Sequence, residues 1–121
     1  MHRPIGITLL AAVIGCCSTA FAQEATVGVE AGPDSFLYGS LLRPDAAAPT
    51  PAPYVLIVPG SGPTDRNGNS TAADVNPNSY KLLAEGLAAR GVGSLRTDKR
   101  GVGGSARAMG PESDLRLSTY V

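Results

Sequence analysis

Apolar and polar positions alternate along this chain in a way that predicts a few short elements. Residues 5–15 form a predominantly apolar run of eleven, shorter than the roughly 20 residues that a membrane-spanning helix needs. Two β-like stretches follow, Ala25 to Ala31 and Phe36 to Leu42. The turn residues Gly32-Pro33-Asp34 separate them, so a hairpin is predicted. Residues 43–53 make a Pro/Ala connector, expected to be extended and exposed. Tyr54 to Val58 is continuously apolar between Pro53 and Pro59-Gly60, the habit of a central strand buried on both faces of a parallel sheet. A polar loop leads to a helix over 77–90, with Asn76 as cap, Pro77 in the first turn and Arg90-Gly91 as the stop. Tyr80, Leu83, Ala84, Leu87 and Ala88 share one of its faces. Gly86 costs about 1 kcal/mol relative to Ala, which suggests that it admits a close approach to the sheet. Residues 92–98 make the next strand, and its weaker apolarity implies polar neighbours. Strand, helix and strand give a parallel βαβ unit with a right-handed crossover. The predicted class is α/β: a hairpin plus one βαβ unit, preceded by a leader helix.

Composition narrows the function. Ten basic and ten acidic side chains give zero formal charge, which excludes the broad basic footprint of nucleic-acid binding. Aromatics at 5% are too few for stacking platforms on single strands. Arg3 before the apolar run and Ala20-Phe21-Ala22 after it read as a secretory signal over residues 1–22, with cleavage before Gln23. Val13-Ile14-Gly15-Cys16 offers a competing lipoprotein site, in which Cys16 would carry a lipid. The downstream Ala-Phe-Ala site favours ordinary cleavage. Export to the periplasm or beyond is expected, and the membrane is met only through this leader or that lipid. Cleavage removes both cysteines and the single histidine, His2. Residues 23–121 then offer no Cys/His zinc site and no nucleophile–His pair. Neither a metal nor a cofactor is expected.

Two loops carry the candidate chemistry. The first begins Pro59-Gly60-Ser61-Gly62-Pro63-Thr64-Asp65-Arg66-Asn67-Gly68 at the C-terminal end of the apolar strand, where open α/β sheets bind ligands. Its span of about 18 residues exceeds the length usual for a passive connection. Gly60 and Gly62 let backbone N–H groups turn toward one point. A phosphate-binding loop fails for want of Lys-Ser/Thr at the required distance. A dinucleotide fingerprint fails because Asp65 stands where the third glycine belongs. A calcium loop starting at Asp65 fails at Ser70 and Asn76. The second loop, Asp98-Lys99-Arg100-Gly101-Val102-Gly103-Gly104-Ser105, follows the second parallel strand. Asp98 and Arg100 are expected to pair with Arg66 and Asp65 across the two loops, as structural ion pairs in preference to catalytic groups.

Taken together, Val-Leu-Ile-Val-Pro-Gly-Ser-Gly-Pro-Thr-Asp-Arg-Asn-Gly, Leu-Leu-Ala-Glu-Gly-Leu-Ala-Ala-Arg-Gly and Leu-Arg-Thr-Asp-Lys-Arg-Gly-Val-Gly-Gly-Ser resemble the N-terminal part of bacterial α/β-hydrolases. The likeness is to exported serine hydrolases of esterase or dienelactone-hydrolase type, over residues 36–121. It implies that Pro59-Gly60-Ser61 takes the place of the family's His-Gly-x turn. The Ser61 N–H would then be one oxyanion-hole donor, with Gly60 and Gly62 beside the substrate. Pro59 departs from the commoner His. In that family the nucleophile sits on a later G-x-S-x-G elbow, followed by Asp or Glu and then His, and none of these is spelled here. The resemblance therefore implies an incomplete hydrolase sheet over residues 23–121, truncated before the elbow, from an enzyme acting on small carboxylic esters or related acyl compounds. This portion supplies the oxyanion loop without the triad and should be inactive alone. In the family's order, strand 54–58 lies between strand 92–98 and a later one, so alone it should present an apolar edge. The alternative is a small secreted binding module without chemistry.

Overall fold

The computed structural model describes residues 22–45 and 48–116. The predicted leader up to Phe21, with Cys16, lies outside the described residues. The elements are strand β1 (Glu24–Gly32), strand β2 (Ser35–Leu42), strand β3 (Tyr54–Ile57), helix α1 (Ser79–Ala88) and strand β4 (Gly93–Thr97). Short 3₁₀ turns occupy Thr71–Ala73, Gly103–Ala108 and Glu112–Asp114. The four strands form one mixed sheet in the order β1-β2-β4-β3. β1 and β2 make the expected antiparallel hairpin. β2 runs antiparallel to β4, and β3 runs parallel to β4. The class is α/β-like, with few helices.

Register fixes which side chains share a face. Leu42, Ser94 and Val55 stand in line, as do Ser40, Arg96 and Ile57. This face meets α1, where Leu42, Ala84 and Ala88 form the buried apolar cluster, with Ala22 and Ile57 packed against it. Ser94 and Arg96 are buried on the same face, the polar surroundings that the weak apolarity of this strand implied. Arg96 Nη2 donates to Glu24 Oε1 at 2.7 Å and thereby ties β4 to the start of β1. The opposite face carries Val27, Val29, Leu37, Leu41, Leu95, Tyr54 and Leu56. No described helix covers it, and Val29 and Leu56 are more than half exposed.

Four expectations need correction. The apolar strand is not buried on both faces, although its edge position among the described residues is the one expected when the family's later strand does not accompany it. β3 ends the sheet, and Tyr54, Val55, Leu56 and Val58 are exposed. The helix starts two residues later than expected, because Asn78, not Asn76, flanks it in the left-handed region with φ 51°. Tertiary bonds supply that cap. The Asn67 carbonyl accepts from the N–H groups of Tyr80 (3.1 Å) and Lys81 (3.4 Å), while Asn69 and Asn78 bond reciprocally at 2.9 Å. Gly86 does not admit the sheet, since a Cβ there would meet only Arg90 Nη1, at 3.7 Å. Ala84 and Ala88 make the close approach instead, while Leu83 is left exposed. The connector is exposed at Pro49, Pro51 and Pro53 but half-buried at Pro44 and not simply extended. The Ala48 N–H donates to the Asp45 carbonyl at 2.9 Å, and Pro49 lies against Gly91 at the end of α1.

The expected stop at Gly91 is present. Gly91 takes φ +81°, its N–H reaches the Ala88 carbonyl, and the Val92 N–H reaches that of Leu87, the pairing of a Schellman end.

Candidate functional site

Because β3 and β4 are parallel neighbours, their C-terminal ends lie on one sheet edge, and the loops after them meet there. Asp98, 4% exposed, joins the two. Its Oδ1 accepts from the Arg66 N–H at 2.7 Å, and its Oδ2 accepts from the Gly104 N–H at 3.0 Å. The Arg66 guanidinium stands 3.4 Å from Oδ2. The carboxylate is charged, acceptor-only and nearly buried, so each N–H turned onto it fixes a segment of loop. Gly103 has φ +52°, and a Cβ there would lie within 2.9 Å of this carboxylate. Only glycine fits between the loop and Asp98. Ser105, fully buried, holds the far end of the loop to the sheet by accepting from the Tyr38 N–H at 2.8 Å.

Half of the expected cross-loop pairing is present. Arg66 meets Asp98, but Arg100 does not meet Asp65. Arg100 donates to the carbonyls of Ala31 and Ala108, anchoring the second loop to the hairpin. Asp65 Oδ1 accepts from the N–H groups of Asn67 (2.8 Å) and Asn69 (2.9 Å). Asp65 therefore shapes its own loop as an Asx turn does. The reason is reach: the short Asp65 side chain finds two N–H donors locally before any guanidinium across the edge.

Gly60, Ser61 and Gly62 are exposed on this edge. Lys99 fixes the turn by donating from Nζ to the carbonyls of Gly60 and Gly62. The Ser61 carbonyl accepts from Thr64 Oγ1 at 3.4 Å. With the carbonyls so occupied, the N–H groups of Gly60, Ser61 and Gly62 bond to nothing among the described residues. Gly62 has φ +77° with open space at its Cβ position, so the turn is set by backbone conformation, without crowding. Chemically, such a turn can donate backbone hydrogen bonds to an anion or to a developing oxyanion.

Lys99 is the residue that sequence reasoning missed. Its signal is its place, one residue beyond Asp98 at the end of a parallel neighbour, and that becomes informative only once β3 and β4 are known to adjoin. A cavity of about 250 Å³, lined by Asp34, Phe36, Tyr38, Gly104 and Arg107, lies on the other flank of the second loop. Among the described residues no group of three or more His, Cys, Asp or Glu converges on a point, and no helix is long and apolar enough to cross a membrane. No described side chain pairs a nucleophile with an imidazole base. Comparison with protein-family models and with curated proteins finds no match to this chain.

Proposed function

We propose that this chain is the N-terminal portion of an exported α/β-hydrolase, a serine enzyme acting on carboxylic esters or related acyl compounds. In this reading the Gly60-Ser61-Gly62 turn contributes the Ser61 N–H to the oxyanion hole, and the nucleophile, acid and base come from sequence beyond these residues. The observation that carries it is the turn itself. Its carbonyls are held by Lys99 and Thr64 while its three N–H groups stay unengaged among the described residues, at the C-terminal edge of a parallel strand pair. The sheet order adds support, because among the described residues β3 is paired on one side only, by β4, and the family places a further strand on the other. Small acyl substrates are the expected partners, and the leader, or a lipid on Cys16, gives the route out of the cytoplasm.

The test is the DNA that follows the codon for Val121. A continuous reading frame that spells G-x-S-x-G, then an acidic residue and a histidine, supports the hydrolase. A frame without that elbow overturns it and leaves the secreted binding module. If the elbow is present, Ser61→Pro in the whole product removes the proposed donor. It should then lower kcat on p-nitrophenyl acetate by about 100-fold or more, with KM little changed.

A further inference from the structure

We propose that the cavity between the hairpin and the second loop binds a small zwitterion, a methylated ammonium joined to a compact anionic group. The proposal does not depend on the hydrolase reading, because this cavity and the Gly60-Ser61-Gly62 turn lie on opposite flanks of the loop. The cavity volume of about 250 Å³ falls below the roughly 300–1,000 Å³ of sites for drug-sized ligands, so the occupant is small.

Two elements supply the walls. The hairpin gives Asp34, Phe36 and Tyr38, and the second loop gives Gly104 and Arg107. Buried groups hold the two walls together. The Tyr38 N–H donates to Ser105 Oγ, and the Gly104 N–H donates to Asp98 Oδ2. Glycines confine the Tyr38 side chain on both sides. A Cβ at Gly28 would lie 3.1 Å from its Cε1, and one at Gly104 would lie 3.3 Å from its Cβ. This part of the site is therefore shaped before a ligand arrives, which lowers the cost of binding.

Opposite charges stand on the two walls. The Asp34 and Arg107 side chains make no ion pair or hydrogen bond, with each other or with another described residue. Glu30 stands opposite Phe36 in the hairpin register and adds a second carboxylate on that side. The Arg100 guanidinium is engaged by the carbonyls of Ala31 and Ala108 and does not line the cavity. A ligand that meets both walls thus turns positive charge to the hairpin and negative charge to the loop.

The aromatic pair selects the kind of cation. The Phe36 and Tyr38 ring centroids lie 6.1 Å apart, with planes inclined at 36°. A flat ligand can stack on one of two rings so inclined, but not on both. A rounded methylated ammonium is attracted to both, because each ring is negative on its face. Phe36 is 43% exposed and so within reach. On the loop wall, the Arg107 guanidinium offers paired N–H donors to a phosphate or carboxylate.

The test titrates the full chain, isotope-labelled, with phosphocholine and follows its amide NMR spectrum. Saturable shifts are expected at Tyr38, Gly104 and Arg107. Tetramethylammonium and inorganic phosphate each carry one half of the ligand's charge and should bind about tenfold more weakly. Absence of shifts, or an equal response to inorganic phosphate, overturns the proposal. Arg107→Gln should weaken phosphocholine about tenfold while leaving tetramethylammonium unchanged. Asp34→Asn should weaken both, and asparagine tolerates the left-handed φ of 53° at this position. Arg90→Gln, beyond the end of α1, should alter neither. Equal losses from Arg107→Gln and Arg90→Gln would indicate a diffuse charge effect and overturn the site. Should the chain be largely unfolded, phosphocholine must draw out the dispersed resonances of the folded form by mass action. Their failure to grow also overturns the proposal. Co-sedimentation with phosphatidylcholine vesicles, without any response to free phosphocholine, would place recognition at a lipid surface and overturn the small-ligand site.

Discussion

Asp98 and Gly68 show how much local order rests on single positions. Asp98 accepts two backbone N–H bonds from different loops and faces the Arg66 guanidinium. In Asp98→Asn, the amide oxygen can serve one N–H, but the NH₂ group must then confront the other donor. About 2 kcal/mol of stability should be lost, a charged hydrogen bond's worth, measured as a lower urea midpoint. Hydrogen exchange at Arg66 and Gly104 should quicken in the same variant. Gly68 has φ +89°, and a Cβ there would lie 2.4 Å from Ser79 Oγ and 3.1 Å from the Tyr80 nitrogen. Gly68→Ala adds that clash to the left-handed penalty and should cost about 2–3 kcal/mol by urea unfolding. Gly62→Ala, equally left-handed but open, should cost only the penalty of about 1–2 kcal/mol. Equal losses at the two sites would show that crowding at the helix start does not matter.

Helix α1 has a start that its own sequence does not provide. Asn78 gives no side-chain cap, and the two exposed helical N–H groups are met by Asn67 of the preceding loop. The Asn69–Asn78 pair clamps that loop in place. Asn69→Ala removes both bonds and should cost about 1–2 kcal/mol, the range of a lost cap. Amide exchange at Tyr80 and Lys81 should then rise more than at Leu87. A uniform rise along the helix would point to general unfolding instead. At its other end α1 was legible in the sequence, since Gly91 marks a left-handed residue that closes the last turn. Asn76-Pro77 misplaced the start because a local cap signal competed with Asn67, whose carbonyl meets the N–H groups of Tyr80 and Lys81 from the preceding loop. Likewise Gly86 offered no cue that alanines, not the glycine, would meet the sheet.

Across the molecule, burial is thin. Among the described residues the buried apolar ones are Leu42, Ala84, Ala88 and Ala108, three of them alanines with little surface to remove from water. One sheet face lacks a described helical layer, and β3 has no outer neighbour among the described residues. Net stability should accordingly be low. Urea unfolding of residues 23–121 at low concentration should show a midpoint below about 2 M, or no cooperative transition. The same material should not turn over p-nitrophenyl acetate, as it carries no histidine to activate a serine. Cooperative monomeric unfolding together with turnover above a Ser61→Pro control would contradict both statements.

The sequence by itself determined the elements: a hairpin around Gly32-Pro33-Asp34, an apolar strand bounded by prolines, one helix and a second strand. Alternation, apolar runs and glycine stops are local signals, and local backbone preference answers to them. It also singled out both glycine-bearing loops, because their residues can adopt turns that few others tolerate. Tertiary structure decided what those elements meet. Which strand ends the sheet, whether Arg66 or Arg100 finds a carboxylate, and that Lys99 pins the Gly60-Ser61-Gly62 turn all depend on separations of more than thirty residues. Such contacts follow from strand order, and no periodicity within one segment encodes it.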